Sequence, residues 1–216
     1  MSILFSHVRI KGNNAANNPI VSVLINPEDI KSVFKLKLIE NWENQRKQTS
    51  SPDCLCLGPV GSGKSLLLKC LQSPSSVDMN TSSCPTVGTT IKTVHASPTD
   101  KLTICEIGGG VAPLWAHYYK GVSKIIFVVD ASNLCQISAA GVLLYSILSE
   151  PCLRNAKLLL VLSKMDASYR QMRNEALLML QMKRLQFEVT QKITIVQASS
   201  FSGEGLDEIK SWLCEK

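Results

Sequence analysis

Residues 53–65 read DCLCLGPVGSGKS, an apolar run that ends in a glycine-rich loop and a lysine–serine pair. The last eight residues fit the spacing GxxxxGK[ST], with a strand-like run before them and the helix-like SLLLKCLQ after them, the context that gives this spacing its meaning. Glycines let successive backbone N–H groups close around a phosphate, and a helix that starts at the loop points its positive end at the same anion. In such a cradle Gly58, Gly61, Ser62 and Gly63 wrap the phosphates, Lys64 reaches the β and γ groups, and Ser65 offers a hydroxyl to Mg²⁺. The plain alternative is a strand-to-helix turn that binds nothing. The register of strand, loop and helix disfavours it.

Further along, strand-like and helical runs alternate: IKTVHA and KLTICEI, KIIFVVD, the helix ISAAGVLLYSILSE, KLLLVLSK, a helix around 172–185, KITIVQAS, and a last helix near 205–215. Continuous runs such as KIIFVV and KLLLVL suit strands covered on both faces, as in a parallel sheet flanked by helices. Residues 90–96 and 101–107, joined by SPTD, read instead as a hairpin. The expected fold is α/β: a doubly wound, mixed but mostly parallel sheet of six strands, with helices on both faces and one antiparallel edge strand.

A nucleoside triphosphate leaves the base open, and SKMD at 163–166, at the end of KLLLVL, bears on it. A carboxylate there accepts two hydrogen bonds from guanine N1–H and N2–H₂, a donor pair that adenine lacks, so Asp166 points to GTP or GDP and counts against an ATP-dependent enzyme. Lys164 lays its aliphatic stem against the base plane. QASSFSGEGL at 197–206 adds Ser199 and Ser200, where a backbone N–H can meet the guanine carbonyl.

In order, GPVGSGKS, PTVGT, EIGGG, SKMD and the SSF of ASSFSGEGL resemble the small GTPases, and PTVGT with IGG and PLWAHYY resembles their Arf and Arf-like branch. The resemblance covers about residues 53–216. It implies a P-loop small-GTPase fold and a GTP-binding regulatory switch that acts on protein effectors through a first switch around Pro85–Thr90 and a second switch around Gly108–Tyr119. It makes Thr86 the first-switch threonine that completes a Mg²⁺ shell with Ser65, puts Glu106 where the family has a metal-holding Asp, and gives Gly109 an N–H for the γ phosphate. Gly110 stands where the family's water-orienting Gln belongs, so no catalytic residue is assigned and hydrolysis is expected to be slow or partner-dependent. Ser163 replaces an Asn, and Cys105 and Thr89 replace two of three effector aromatics, leaving Tyr118. Trp115, Tyr118 and Tyr119 read equally as packing or as interface. The competing reading is a nucleotide-insensitive interaction scaffold.

Residues 52–216 form the expected GTP-binding domain and residues 1–51 an N-terminal extension. Within it KGNNAANNP at 11–19 is low-complexity and reads as partly disordered. Asn26, Pro27, Glu28 and Asp29 look like a helix start, and a helix to about Arg46 gathers Ile30, Val33, Phe34, Leu38 and Trp42 on one side. FKLKLI in the same segment also suits a strand. Such a helix either packs on the body or contacts a membrane or partner through residues 27–46. Ser2 and the terminal SWLCEK lack the features of lipid attachment.

With 45% hydrophobic and 19% charged residues the chain has the composition of a folded protein. The net charge of +6 is spread evenly, so no nucleic-acid partner is expected. Eight scattered cysteines without CxxC spacing read as reduced thiols, and no apolar run spans a bilayer, so the expectation is a cytoplasmic monomer.

Overall fold

The computed structural model describes residues 32, 35–40, 42–44, 52–73, 77, 81, 84–97, 100–168 and 170–215. The low-complexity patch at 11–19, the helix start at 26–29 and the side chains of Ile30, Val33 and Phe34 lie outside them. The strands are β1 (Cys54–Leu57), β2 (Thr89–His95), β3 (Lys101–Ile107), β4 (Lys124–Asp130), β5 (Lys157–Ser163) and β6 (Ile193–Gln197). Helices are α1 (Lys64–Gln72), α2 (Leu134–Leu148), α3 (Arg170–Met179), α4 (Met182–Glu188) and α5 (Leu206–Cys214), with a 3₁₀ stretch over Gly109–Tyr118. The sheet order is β2-β3-β1-β4-β5-β6, parallel throughout except for the β2–β3 hairpin at one edge. The expected architecture is the observed one.

Alternation within the apolar runs divides the core between the two faces of the sheet. On β5, Leu158, Leu160 and Leu162 enter one cluster and Leu159 and Val161 the other. On β4, Ile125, Phe127 and Val129 part from Ile126 and Val128 in the same way. One face is covered by α1 and α5 through Leu67, Leu68, Ile209 and Trp212, and the other by α2, α4 and the 3₁₀ stretch through Ile137, Leu144, Leu185 and Trp115. Two-period strands covered on both sides must be apolar throughout, which is why they read as continuous runs.

One expectation needs revision. The helix around 172–185 is broken, because Gln181 adopts a left-handed backbone (φ 52°) between α3 and α4. Both Leu180 and Met182 are buried in the same cluster. Residues two apart on an unbroken helix face nearly opposite ways, so both reach that core only if the helix stops between them. Of the two readings of the aromatics in Gly108–Tyr119, packing is the one observed: Trp115, Tyr118 and Tyr119 are all buried.

Residues 35–40 and 42–44 are helical, and here the helical reading prevails over FKLKLI as a strand. Trp42 is buried against Tyr118, ring centroids 4.9 Å apart, and Leu38 rests on Gly88, where a Cβ would lie 2.8 Å from Leu38 Cδ2. No helix among the described residues is long and apolar enough to cross a membrane. Trp42→Ala is expected to lower unfolding stability by about 3 kcal/mol, the scale of a large-to-small change in a packed core. Urea denaturation of both proteins checks it, and a change within about 0.5 kcal/mol, as at a surface position, would mean that this helix is only laid on the domain.

Candidate functional site

The site is built at the carboxyl ends of β1, β3, β4 and β5, where a doubly wound sheet opens a crevice. Behind β1 the chain turns through Gly58 to Gly63, and Gly63 precedes α1 with φ +90°, a backbone that glycine takes without a Cβ clash. Lys64 begins α1 and is buried, its Nζ donating to the carbonyl oxygens of Gly58 (2.9 Å) and Pro59 (2.7 Å). An ammonium has three donors, so one remains for an anion. Burial holds the pKa of Lys64 below the usual lysine value, opposed by the negative charge of Glu106. Ser62 is fully buried, its Oγ turned toward Gly58.

Three oxygen-bearing side chains from separate segments converge next to Lys64. Ser65 Oγ donates to Glu106 Oε1 (2.5 Å), Thr86 Oγ1 donates to the same oxygen (2.9 Å), and the two hydroxyls are 3.0 Å apart. Glu106 is buried at the end of β3, level with Cys56 on β1 and Thr90 on β2. The extra methylene relative to Asp carries its carboxylate to both hydroxyls. Two hydroxyls and a carboxylate are hard donors of the kind Mg²⁺ takes, usually alongside waters and phosphate oxygens, so the residues present fit that ion. Among the described residues no three His, Cys, Asp or Glu gather into another metal site.

Gly109 sits hard against the phosphate loop: a Cβ there would lie 2.4 Å from Val60 N and 2.5 Å from Pro59 C. Only a residue without a side chain allows the second switch so close. Gly110 differs, since a Cβ there would meet nothing nearer than Val60 Cγ2 at 3.9 Å. These parts enclose a cleft of about 550 Å³, lined among others by Lys64, Ser65, Thr86, Glu106, Gly109 and Lys164, within the range of small-molecule sites.

At the base end, Ser163 Oγ lies 2.7 Å from the carbonyl oxygen of Ser62 and 3.0 Å from that of Val129. A hydroxyl has one proton to donate, yet this serine still ties β5 to the phosphate loop, the task of the Asn it replaces. Lys164 takes a left-handed backbone (φ 58°), and its Nζ pairs with Asp130 Oδ2 at 2.7 Å, which fixes its stem near Gly63. Asp166 is exposed, and Ser199 Oγ donates to its Oδ1 at 2.6 Å. Ser199 is fully buried and also accepts the N–H groups of Phe201 and Ser202, so its side chain orients Asp166 instead of facing a ligand. Ser200 lies in the same turn, where its carbonyl accepts the Cys70 thiol (3.3 Å). The motif reading missed Asp130 and also Gln136, which donates to the Val60 carbonyl at 3.2 Å. Both act across the fold, and no local spacing announces them.

A family model described as "ADP-ribosylation factor family" matches residues 36–216, a span that includes the helical residues carrying Trp42. The chain belongs to this family. Human ADP-ribosylation factor-like protein 16 is 35% identical over 166 residues, covering 74% of this chain and 83% of the relative. The yeast Saccharomyces cerevisiae ADP-ribosylation factor-like protein 1 is 31% identical over 163 residues, covering 74% and 85%. Among solved structures, the Arl6 (BBS3) small GTPase of Trypanosoma brucei with bound GppNp shares the fold, with a TM-score of 0.63 at 22% identity over 74% of this chain and 93% of its own. Membership of the Arf small-GTPase family implies that the chain binds guanine nucleotide.

Gly109→Ala introduces a Cβ where backbone atoms leave no room. We expect it to weaken mant-GppNp binding by tenfold or more, about 1.4 kcal/mol, while mant-GDP binding changes less than about threefold. Equal effects on the two nucleotides would show that Gly109 does not serve the γ phosphate.

Proposed function

We propose that this Arf-family chain holds GTP with Mg²⁺ as a slowly hydrolysing switch whose nucleotide state selects a protein partner. The observation that supports it is the gathering of Lys64, Ser65, Thr86, Glu106 and Gly109 around one cleft, with no side chain at 110 to aim a water. Ser65, Thr86 and Glu106 would hold the ion, which when bound neutralises phosphate charge. Lys64 and the Gly58–Gly63 backbone grip the β and γ groups, Gly109 offers its N–H to the γ phosphate, and Asp166, aimed by Ser199, reads the base.

Hydrolysis of a phosphoanhydride by such a site rests on positioning and charge stabilisation. The charged parts are present; the positioning group is missing. His117 does not take its place, being exposed and outside the lining of the cleft. The space beside Val60 and Gly110 admits a side chain from a partner. In the partner-facing segments, Val87 is 73% exposed within Pro85–Thr90, whereas the aromatics of Gly108–Tyr119 point inward. Partners therefore meet the first switch more than an aromatic patch on the second.

In a single-turnover assay with γ-labelled GTP and Mg²⁺, the purified chain should hydrolyse at or below ~10⁻⁴ s⁻¹, the order of unassisted small GTPases. Gly110→Gln, for which there is room, should raise the rate measurably and leave binding unchanged. Brisk hydrolysis by the wild type would mean that another residue positions the water. Asp166→Asn should move preference from GTP toward XTP in a competition assay, because an amide offers a donor where the carboxylate accepted. An unaltered preference for GTP would take Asp166 out of the base site.

A further inference from the structure

Beside the nucleotide cleft, and sharing Ser65, Thr86 and Glu106 with it, lies a smaller pocket of about 250 Å³ between α1 and β2. Its walls follow from two periodicities. Ser65 and Lys69 are four apart on α1 and so stand on one side of the helix. Thr90 and Lys92 are two apart on β2 and stand on the face that carries Val94, which is buried with Leu67 and Leu68 of α1. Glu106, opposite Thr90 in the hairpin, closes the pocket on the β3 side, and Cys84 brings in the first switch.

Charge in this pocket is unbalanced. Lys69 and Lys92 have no acidic partner among the described residues. The one carboxylate in the lining, Glu106, is buried and already accepts the hydroxyls of Ser65 and Thr86. An edge-strand lysine that only discourages strand pairing belongs in solvent. Lys92 is instead half-buried on the inner face of β2, where a second cation lines the same recess. Two like charges lining one recess, Lys92 half-buried and Lys69 exposed, favour an anion there. At about 250 Å³ the recess falls below the usual range of small-molecule sites, and the half-buried Leu66 adds an apolar wall that a protein side chain uses and a free inorganic anion does not.

We propose that this pocket receives a carboxylate side chain from an acidic segment of a protein partner, and that it is complete only when Thr86 closes on Glu106. The proposal rests on the reading of the first switch as the surface that reports nucleotide state, and it names the partner's chemistry.

The test measures fluorescence anisotropy of a fluorescein-labelled Glu–Gly repeat peptide against the full chain loaded with GppNp or GDP. Binding should be tighter to the GppNp form. It should fall tenfold or more in the double variant Lys69→Gln/Lys92→Gln, and should largely persist in Lys69→Arg/Lys92→Arg. The control pair Lys120→Gln/Lys183→Gln removes the same charge from exposed positions elsewhere and should change binding less than twofold. Equal losses in the two Gln pairs would reduce the effect to net charge and overturn the proposal, as would no peptide binding by the wild type. Displacement of the peptide by submillimolar inorganic phosphate would identify a small-anion site and overturn it too. Mant-GppNp binding, followed in parallel, should be unchanged in every variant. A wild type that fails to bind mant-GppNp would defeat the switch reading itself, and the two Gln pairs would then judge the pocket separately.

Discussion

One carboxylate oxygen, Glu106 Oε1, accepts hydrogen bonds from Ser65 and Thr86, and through it β3, the head of α1 and the first switch meet at a single point. Each of these groups is held by an element whose own placement is fixed: α1 by Leu67 and Leu68 packed on the sheet, β3 by its ladder with β1, and Thr86 by the short connection into β2. A buried carboxylate is costly to leave unsatisfied, so the position of Thr86 is bound to that of Glu106. The same oxygens form one wall of both pockets, which is why nucleotide state and partner recognition converge on the first switch in this account.

Beyond that node, the site relies on close backbone approach more than on side-chain chemistry. Gly109 presses on the phosphate loop, and Lys64 is held by carbonyls of that loop. Position 110, one residue on, is roomy. The departure there therefore removes a functional group without disturbing the frame. Ser163 and Glu106 are different in kind, because the replacing side chains still reach the groups they need: Ser62 in one case, and Ser65 and Thr86 in the other.

Much of this was legible in the sequence, for definite reasons. Strands buried on both faces write themselves as unbroken apolar runs, and the loop spacing between DCLCL and SLLLKCLQ carries its geometry with it. The helix around 172–185 was not legible, because its residues favour helix throughout and only burial of both Leu180 and Met182 imposes the break. Nor was the inward turn of Trp115, Tyr118 and Tyr119, which depends on Trp42 and Phe127 arriving from distant parts of the chain. Asp130 and Gln136 escaped notice likewise, since each acts on a residue more than thirty positions away. The buried thiols Cys54, Cys56 and Cys105 conform to the plain reading: burial raises their pKa values, Cys105 to about 12, and keeps them inert.

The central claim is that guanine nucleotide, held with Mg²⁺, is what this cleft recognises. The most direct measurement is a parallel titration of the wild-type chain with mant-GTP, mant-GDP and mant-ATP, with and without Mg²⁺. The account predicts saturable binding of both guanine nucleotides, no binding of mant-ATP in the same concentration range, and weaker mant-GTP binding when Mg²⁺ is withheld. Equal binding of mant-ATP, or no saturable binding of either guanine nucleotide, would contradict it.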